Sequence, residues 1–170
     1  VEQVVSTPVV FDIRRIDVRG WRNERTIELP EYVSEIAISP DGRYVACGNA
    51  TNNDSPADIY VWEVDSSTLT RRKAHVGLRR LAWQPGDETY LFASAGDDGW
   101  VCLWDAKSGL VTVADDKNDI SSPVVELAWS KGGNFLAPAD TTVSVRVWDA
   151  QGRKVVSYSQ ADGLFAIPKM

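Results

Sequence analysis

At 170 residues, with 44% hydrophobic and 25% charged side chains, the chain has an ordinary globular composition and can bury roughly 70% of its unfolded surface. A formal charge of −6 argues against general binding to nucleic acid or to an anionic membrane. No apolar run approaches the ~18 residues that a membrane-spanning helix needs.

The first residues, VEQVVSTPVVF, lack the basic start and small-residue cleavage site of a secretory signal. A chain that opens on valine is expected to be processed, trimmed or part of something longer. Cys47 and Cys102 lie in apolar runs and read as buried free thiols, so a reducing cytoplasm is the expected compartment. No stretch sustains a helical apolar period, whereas short runs with a period near two recur throughout.

In chain order, Val4–Val10 reads as a strand, FDIRRIDV carries Ile16-Asp17, and Glu24–Leu29 reads as an outer strand. The first full unit then has strands at Val33–Ser39, Tyr44–Gly48, Asp58–Val64 and Ser67–Arg71, with the turn Pro40-Asp41-Gly42 between the first two. The second has Leu78–Trp83, the turn Pro85-Gly86-Asp87, Leu91–Ala95, Trp100–Trp104 and Leu110–Val113. Its central hairpin turns on Gly96-Asp97-Asp98-Gly99, an Asp-Gly signal between β-prone runs. The third has Val124–Trp129, Lys131-Gly132-Gly133, Phe135–Ala137, Val143–Trp148 and Lys154–Tyr158, and Leu164–Ile167 reads as the first strand of a further repeat.

Trp62-Glu63, Trp104-Asp105 and Trp148-Asp149 end the third strands of these units and stand 42 and 44 residues apart. A period of roughly 40–45 residues with a Trp-Asp signature is that of four-stranded propeller blades. The expected division is a partial blade at 1–30, blades at 31–73, 74–119 and 120–160, and a first strand of the next or closing blade at 161–170. The offset between the two ends allows a ring to close within one sheet, which removes unpaired edges.

These residues resemble the WD-repeat β-propeller family over nearly the whole chain. The second repeat carries the fullest match: His75, Leu78-x-x-Leu81-Ala82-Trp83, Ala93-Ser94, Asp97-Asp98-Gly99 and Leu103-Trp104-Asp105. The resemblance implies a hydrogen-bonded structural tetrad of His75, Ser94, Asp98 and Trp104. The other repeats depart from it. Cys47 stands at the serine position of the first, Pro138 and Thr142 at the serine and aspartate positions of the third, and neither has the histidine. Those blades are expected to rely on apolar packing, with Pro138 outside ladder pairing or at a bulge. The content is about four blades, fewer than most such rings. The options, in order of preference, are part of a longer chain, half of a ring made by two copies, and a four-bladed monomer.

His75, Ser94 and Asp98 also match the residue types of a nucleophilic triad, but Ser94 falls within a central strand and not on a glycine-flanked elbow. A single histidine makes a His/Cys metal site improbable, and no cofactor is expected. Asp115-Asp116-Lys117-Asn118-Asp119 lacks the glycine and closing glutamate of a calcium loop. Arg71, Arg72, Lys73, Arg79 and Arg80 form the densest basic cluster, either a phosphate or acidic-peptide site or a charge-protected edge. Trp21 and Tyr32 are candidate partner contacts, and the inserted loop Asn49–Ala57 is a candidate recognition loop. The resemblance implies a non-enzymatic scaffold binding protein or peptide through the loops of one ring face. The alternatives are a half-propeller whose main partner is another copy of itself and, less favoured, a propeller hydrolase or lyase.

Overall fold

The computed structural model describes residues 11–17, 22–29, 32–49, 56–86, 90–109, 111–113, 122–142 and 145–158. All regular structure among them is β. Strands β1 (Phe11–Asp17) and β2 (Arg22–Leu29) form a two-stranded antiparallel sheet. Three four-stranded antiparallel meanders follow. Blade one holds β3 (Glu35–Ile38), β4 (Tyr44–Gly48), β5 (Pro56–Glu63) and β6 (Thr68–Val76). Blade two holds β7 (Leu78–Trp83), β8 (Leu91–Gly96), β9 (Val101–Asp105) and β10 (Val111–Val113). Blade three holds β11 (Val124–Trp129), β12 (Phe135–Asp140), β13 (Val145–Asp149) and β14 (Lys154–Tyr158). The all-β architecture of four-stranded blades read from the sequence is therefore present. Val4–Val10, Trp21, Asp115–Asp119, Leu164–Ile167 and most of the Asn49–Ala57 loop lie outside the described residues.

The central strands of blades one and two are apolar on both faces because each of these blades lies between two neighbouring sheets. In β4, Tyr44 and Ala46 pack with Leu81, Trp83, Phe92 and Trp104 of blade two, while Val45 and Cys47 on the opposite face pack with Trp62, Tyr60 and, from β2, Ile27 and Leu29. Between blades two and three, Ala93, Ala95 and Leu103 meet Leu127, Leu136 and Trp148. Small residues on one face and bulky ones on the other let the sheets interlock at interior density.

Two further contacts recur along the inner strands. The Trp83 indole donates to the Ala37 carbonyl (2.9 Å), and the Trp129 indole donates to the Ala82 carbonyl (3.0 Å), so each inner strand is pinned to the one before it. Two residues before each alanine stands a charge: Glu35 in β3, Arg80 in β7 and Glu126 in β11. Arg80 lies between the two acids, with Nε 3.2 Å from Glu126 and Nη1 3.9 Å from Glu35.

Two local expectations are revised, and that for Pro138 holds on one side of its strand only. Strand β6 does not end at Arg71 but runs to Val76, because the buried Asp58 of β5 collects Arg71 and Lys73 across the ladder and keeps the strands paired past a bulge. Pro138 stands mid-strand in β12, paired with Leu127. The ladder to β13 skips Ala137 and Pro138 and resumes at Ala139, as a residue without an amide requires. Blade three, finally, does not rely on apolar packing alone. It buries an ion pair in which Arg146 Nη2 donates to Asp140 Oδ2 (2.9 Å) with both side chains inside.

Candidate functional site

Among the described residues, the one cluster with the residue types of a catalytic site ties the last strand of blade one to blade two. His75, near the end of β6, reaches across to Ser94 in β8 and to Asp98 in the β8–β9 turn. Its Nδ1 is 3.0 Å from Asp98 Oδ1, its Nε2 is 2.7 Å from Ser94 Oγ, and the Trp104 indole donates to the same Oγ at 2.7 Å. These partners fix the proton positions. Nδ1–H donates to the carboxylate, Nε2 accepts the serine O–H, and the serine oxygen accepts the indole N–H. Asp98 also accepts the amides of Val76 (3.1 Å) and Trp100 (3.0 Å).

Local backbone makes the approach possible. A Cβ on Gly96 would lie 2.6 Å from the His75 Cβ, and one on Gly77, at φ +65°, would lie 2.4 Å from Asp97 Oδ2. Burial pushes the Asp98 carboxyl up, but the His75 hydrogen bond and charge, with the two amides, outweigh it and hold the group below its ordinary value.

A serine nucleophile needs an exposed oxygen with a free lone pair facing substrate and oxyanion donors beside it. His75 and Ser94 are fully buried, and the Ser94 oxygen already takes the indole. At the matching place in blade one stands Cys47, and the buried Trp62 indole finds no hydrogen-bond partner among the described residues. Cys47 and Cys102 are free thiols, and burial pushes both up to about 12, far from a reactive thiolate. Among the described residues no group of three or more His, Cys, Asp or Glu side chains could hold a metal ion.

The basic cluster is dispersed among acids. Arg71 and Lys73 both reach the buried Asp58, and Arg79 grips Asp97 with two bonds, at 2.6 and 3.1 Å. Arg80 joins Glu126 and Glu35, and Arg72 donates to the Arg71 carbonyl at 2.9 Å. Positive charge is thus spent holding strands together and is not gathered at one anion site. A cleft of about 220 Å³ between blades one and two has the same character. There Tyr44 donates to Glu63 (3.0 Å) and the Lys107 ammonium sits 4.1 Å from the centre of the Tyr90 ring.

Of the candidate partner contacts, Trp21 lies outside the described residues, and Tyr32 is 60% exposed just before β3. Sequence reasoning missed two neighbours of Tyr32, Ile36 and Ile38, which are 51% and 63% exposed. It also missed the buried Arg146–Asp140 pair. The available signal was parity, since Arg146 lies two residues before Trp148 and so shares its inward face.

Three blades, tryptophans ending each third strand and a His–Ser–Trp–Asp network define a propeller-blade protein of the Trp-Asp type. Residues 66–105 match the family model "WD domain, G-beta repeat". Over 129 residues, 72% of this chain, the sequence is 41% identical to cilia- and flagella-associated protein 52 of Macaca fascicularis, covering 22% of that protein. It is 37% identical over 98 residues to the protein LST8 homolog of Drosophila melanogaster (52% of this chain, 29% of that one). It is 27% identical over 128 residues to small ribosomal subunit protein RACK1y of Oryza sativa subsp. japonica (71% and 35%). Residues 66–105 thus carry a WD repeat, and the wider chain is similar to these proteins over up to 72% of its length. It spans about an eighth to a third of the length of the curated relatives it matches.

Proposed function

We propose that this chain is a non-enzymatic scaffold whose stacked blades hold interaction surfaces for protein or peptide, and that His75, Ser94, Asp98 and Trp104 serve as its structural clasp. The observation that carries this reading is the division of labour in the side chains. The residue types that could do chemistry are buried and satisfied by one another, while Ile36 and Ile38 are exposed on a braced sheet and Tyr32 just before it. Aromatic anchors on a rigid frame are the usual source of affinity at protein interfaces. The relatives named as a small ribosomal subunit protein and a cilia- and flagella-associated protein support the scaffold reading, and the cytoplasm is the compartment proposed.

The test immobilises the full chain and compares the proteins retained by wild type and by Tyr32→Ala. Loss of the retained protein with an unchanged melting temperature is the expected result. Hydrolysis of an ester or glycoside substrate, abolished in a folded Ser94→Ala variant, would overturn it. A second reading, assembly with another copy, draws on the apolar residues exposed at the two ends of the stack, Ile36 and Ile38 on blade one and Phe135 on blade three. Light scattering decides it: a mass of one chain ends that reading.

A further inference from the structure

Glu63 departs from the other two blades, where an aspartate follows the third-strand tryptophan. Asp105 accepts the amides of Lys107 and Ser108, and Asp149 those of Gln151 and Arg153, so each aspartate closes its own turn. Glu63, one methylene longer, instead accepts the hydroxyls of Tyr44 (3.0 Å) and Ser66 (2.6 Å) at the wall of the cleft of about 220 Å³ between blades one and two. Those bonds, the one from Ser66 first, hold its carboxyl below the ordinary value against the effect of burial. Lys107 lines the same cleft from blade two. Its ammonium is held by a ring face, 4.1 Å from the centre of Tyr90, and makes no hydrogen bond among the described residues. Tyr44 meets Tyr90 edge to face at 5.7 Å, so a chain of two rings links the acid to the base. Lys107 is near enough to help lower the Glu63 pKa, yet the two charges form no ion pair. Val61 and Ala106 give the cleft apolar lining beside them.

We infer that this cleft binds a free α-amino acid of about the size of valine, with its ammonium on Glu63 and its carboxylate on Lys107. Each Glu63 oxygen keeps a lone pair beyond the hydroxyl it already accepts, and the Lys107 ammonium has N–H donors to give. The side chain of the ligand lies against Val61 and Ala106. A volume of about 220 Å³ equals about seven waters at about 30 Å³ each, close to the about eight non-hydrogen atoms of valine. Ligands of a single charge fit less well. A phosphate or an acidic side chain on Lys107 would face Glu63, and a basic side chain on Glu63 would face Lys107, so like charge works against either. A zwitterion answers both walls at once. The inference adds a small-molecule site to the scaffold reading without resting on it, because Tyr32 is no part of this cleft.

The test titrates isotopically labelled full chain with L-valine and follows the amide shifts. Saturable shifts at Thr68, Thr70, Ala106 and Lys107 are expected, undiminished in Tyr32→Ala. N-acetylvaline lacks the ammonium and valinamide lacks the carboxylate, and each should bind about fivefold more weakly, the loss of one half-exposed charge pair. Glu63→Gln should weaken valine by a similar factor and leave N-acetylvaline as it was. Lys107→Met should weaken valine likewise and leave valinamide as it was. An unchanged melting temperature checks that both variants fold, and the two analogues on the wild-type chain carry the test if they do not. Absence of saturable shifts, or shifts that leave these four amides still, would overturn the inference. So would either analogue binding as tightly as valine, which would make a singly charged group, such as a peptide terminus, the occupant.

Discussion

The Trp104–Ser94–His75–Asp98 chain is linked end to end, with Ser94 Oγ holding both the indole and the imidazole, so removing a member strands the next in a dry interior. Ser94→Ala would leave the Trp104 N–H and the His75 Nε2 without partners and should destabilise the chain by about 1–3 kcal/mol, read from the urea midpoint. His75→Ala should fall in the same range. Acid should act on the same group. The folded Asp98 carboxyl lies below its ordinary value of 3.8, so its stabilisation is present above that pH and is lost as pH falls through the folded value. Asp98→Asn should therefore flatten the fall in stability on the acid side. The residual slope belongs to other depressed carboxyls such as Asp58, held down chiefly by its Arg71 hydrogen bond. The residues of this network were legible because they stand in one repeat at recognisable places. The glycines that admit them were not, since Gly77 and Gly96 matter through contacts made across strands.

Among the elements, the third strands announced themselves through their tryptophans, and the turn glycines marked most strand ends. Beyond that, a strand's length depends on what it pairs with. The extension of β6 to Val76 answers to Asp58 on another strand, which no local run of residues reports. The Arg146–Asp140 pair teaches the complementary lesson, because a charged residue at an inward position was visible and its partner was not. Arg146→Ala should cost about 3–5 kcal/mol by leaving the buried Asp140 carboxylate without its counter-charge, whereas Arg146→Met with Asp140→Leu should recover most of it. Equilibrium unfolding of both variants checks this. Trp83→Phe keeps an aromatic ring beside Tyr44 and Phe92 but removes the donor to Ala37, and about 1 kcal/mol should be lost.

For the molecule as a whole, stacking makes stability a sum of blades and their junctions. Cys47 in blade one and Cys102 in blade two are buried thiols, so each reports the opening of its own sheet. If the blades unfold together, an alkylating reagent in mild denaturant should modify both at one rate, followed by mass spectrometry of the two peptides. Faster reaction at Cys47 would make the junction of blade one with β1–β2 the weaker part of the stack. The period fixed the number of repeats, but which faces stay uncovered is a property of the assembled stack, and Ile36 and Ile38 are ordinary strand residues until their neighbours are in place.

The linked bonds of blade two also govern what sequence change can do there. A lone replacement at any of the four places forfeits more than its own contact, so intermediate versions of the network are the least stable ones. Blades one and three keep the tryptophan, Trp62 and Trp148, without the histidine; a thiol stands at the serine place in one, and an arginine–aspartate bridge is buried in the other. Repeats built this way can exchange the histidine relay for other buried contacts while each keeps four strands and a tryptophan near the end of the third.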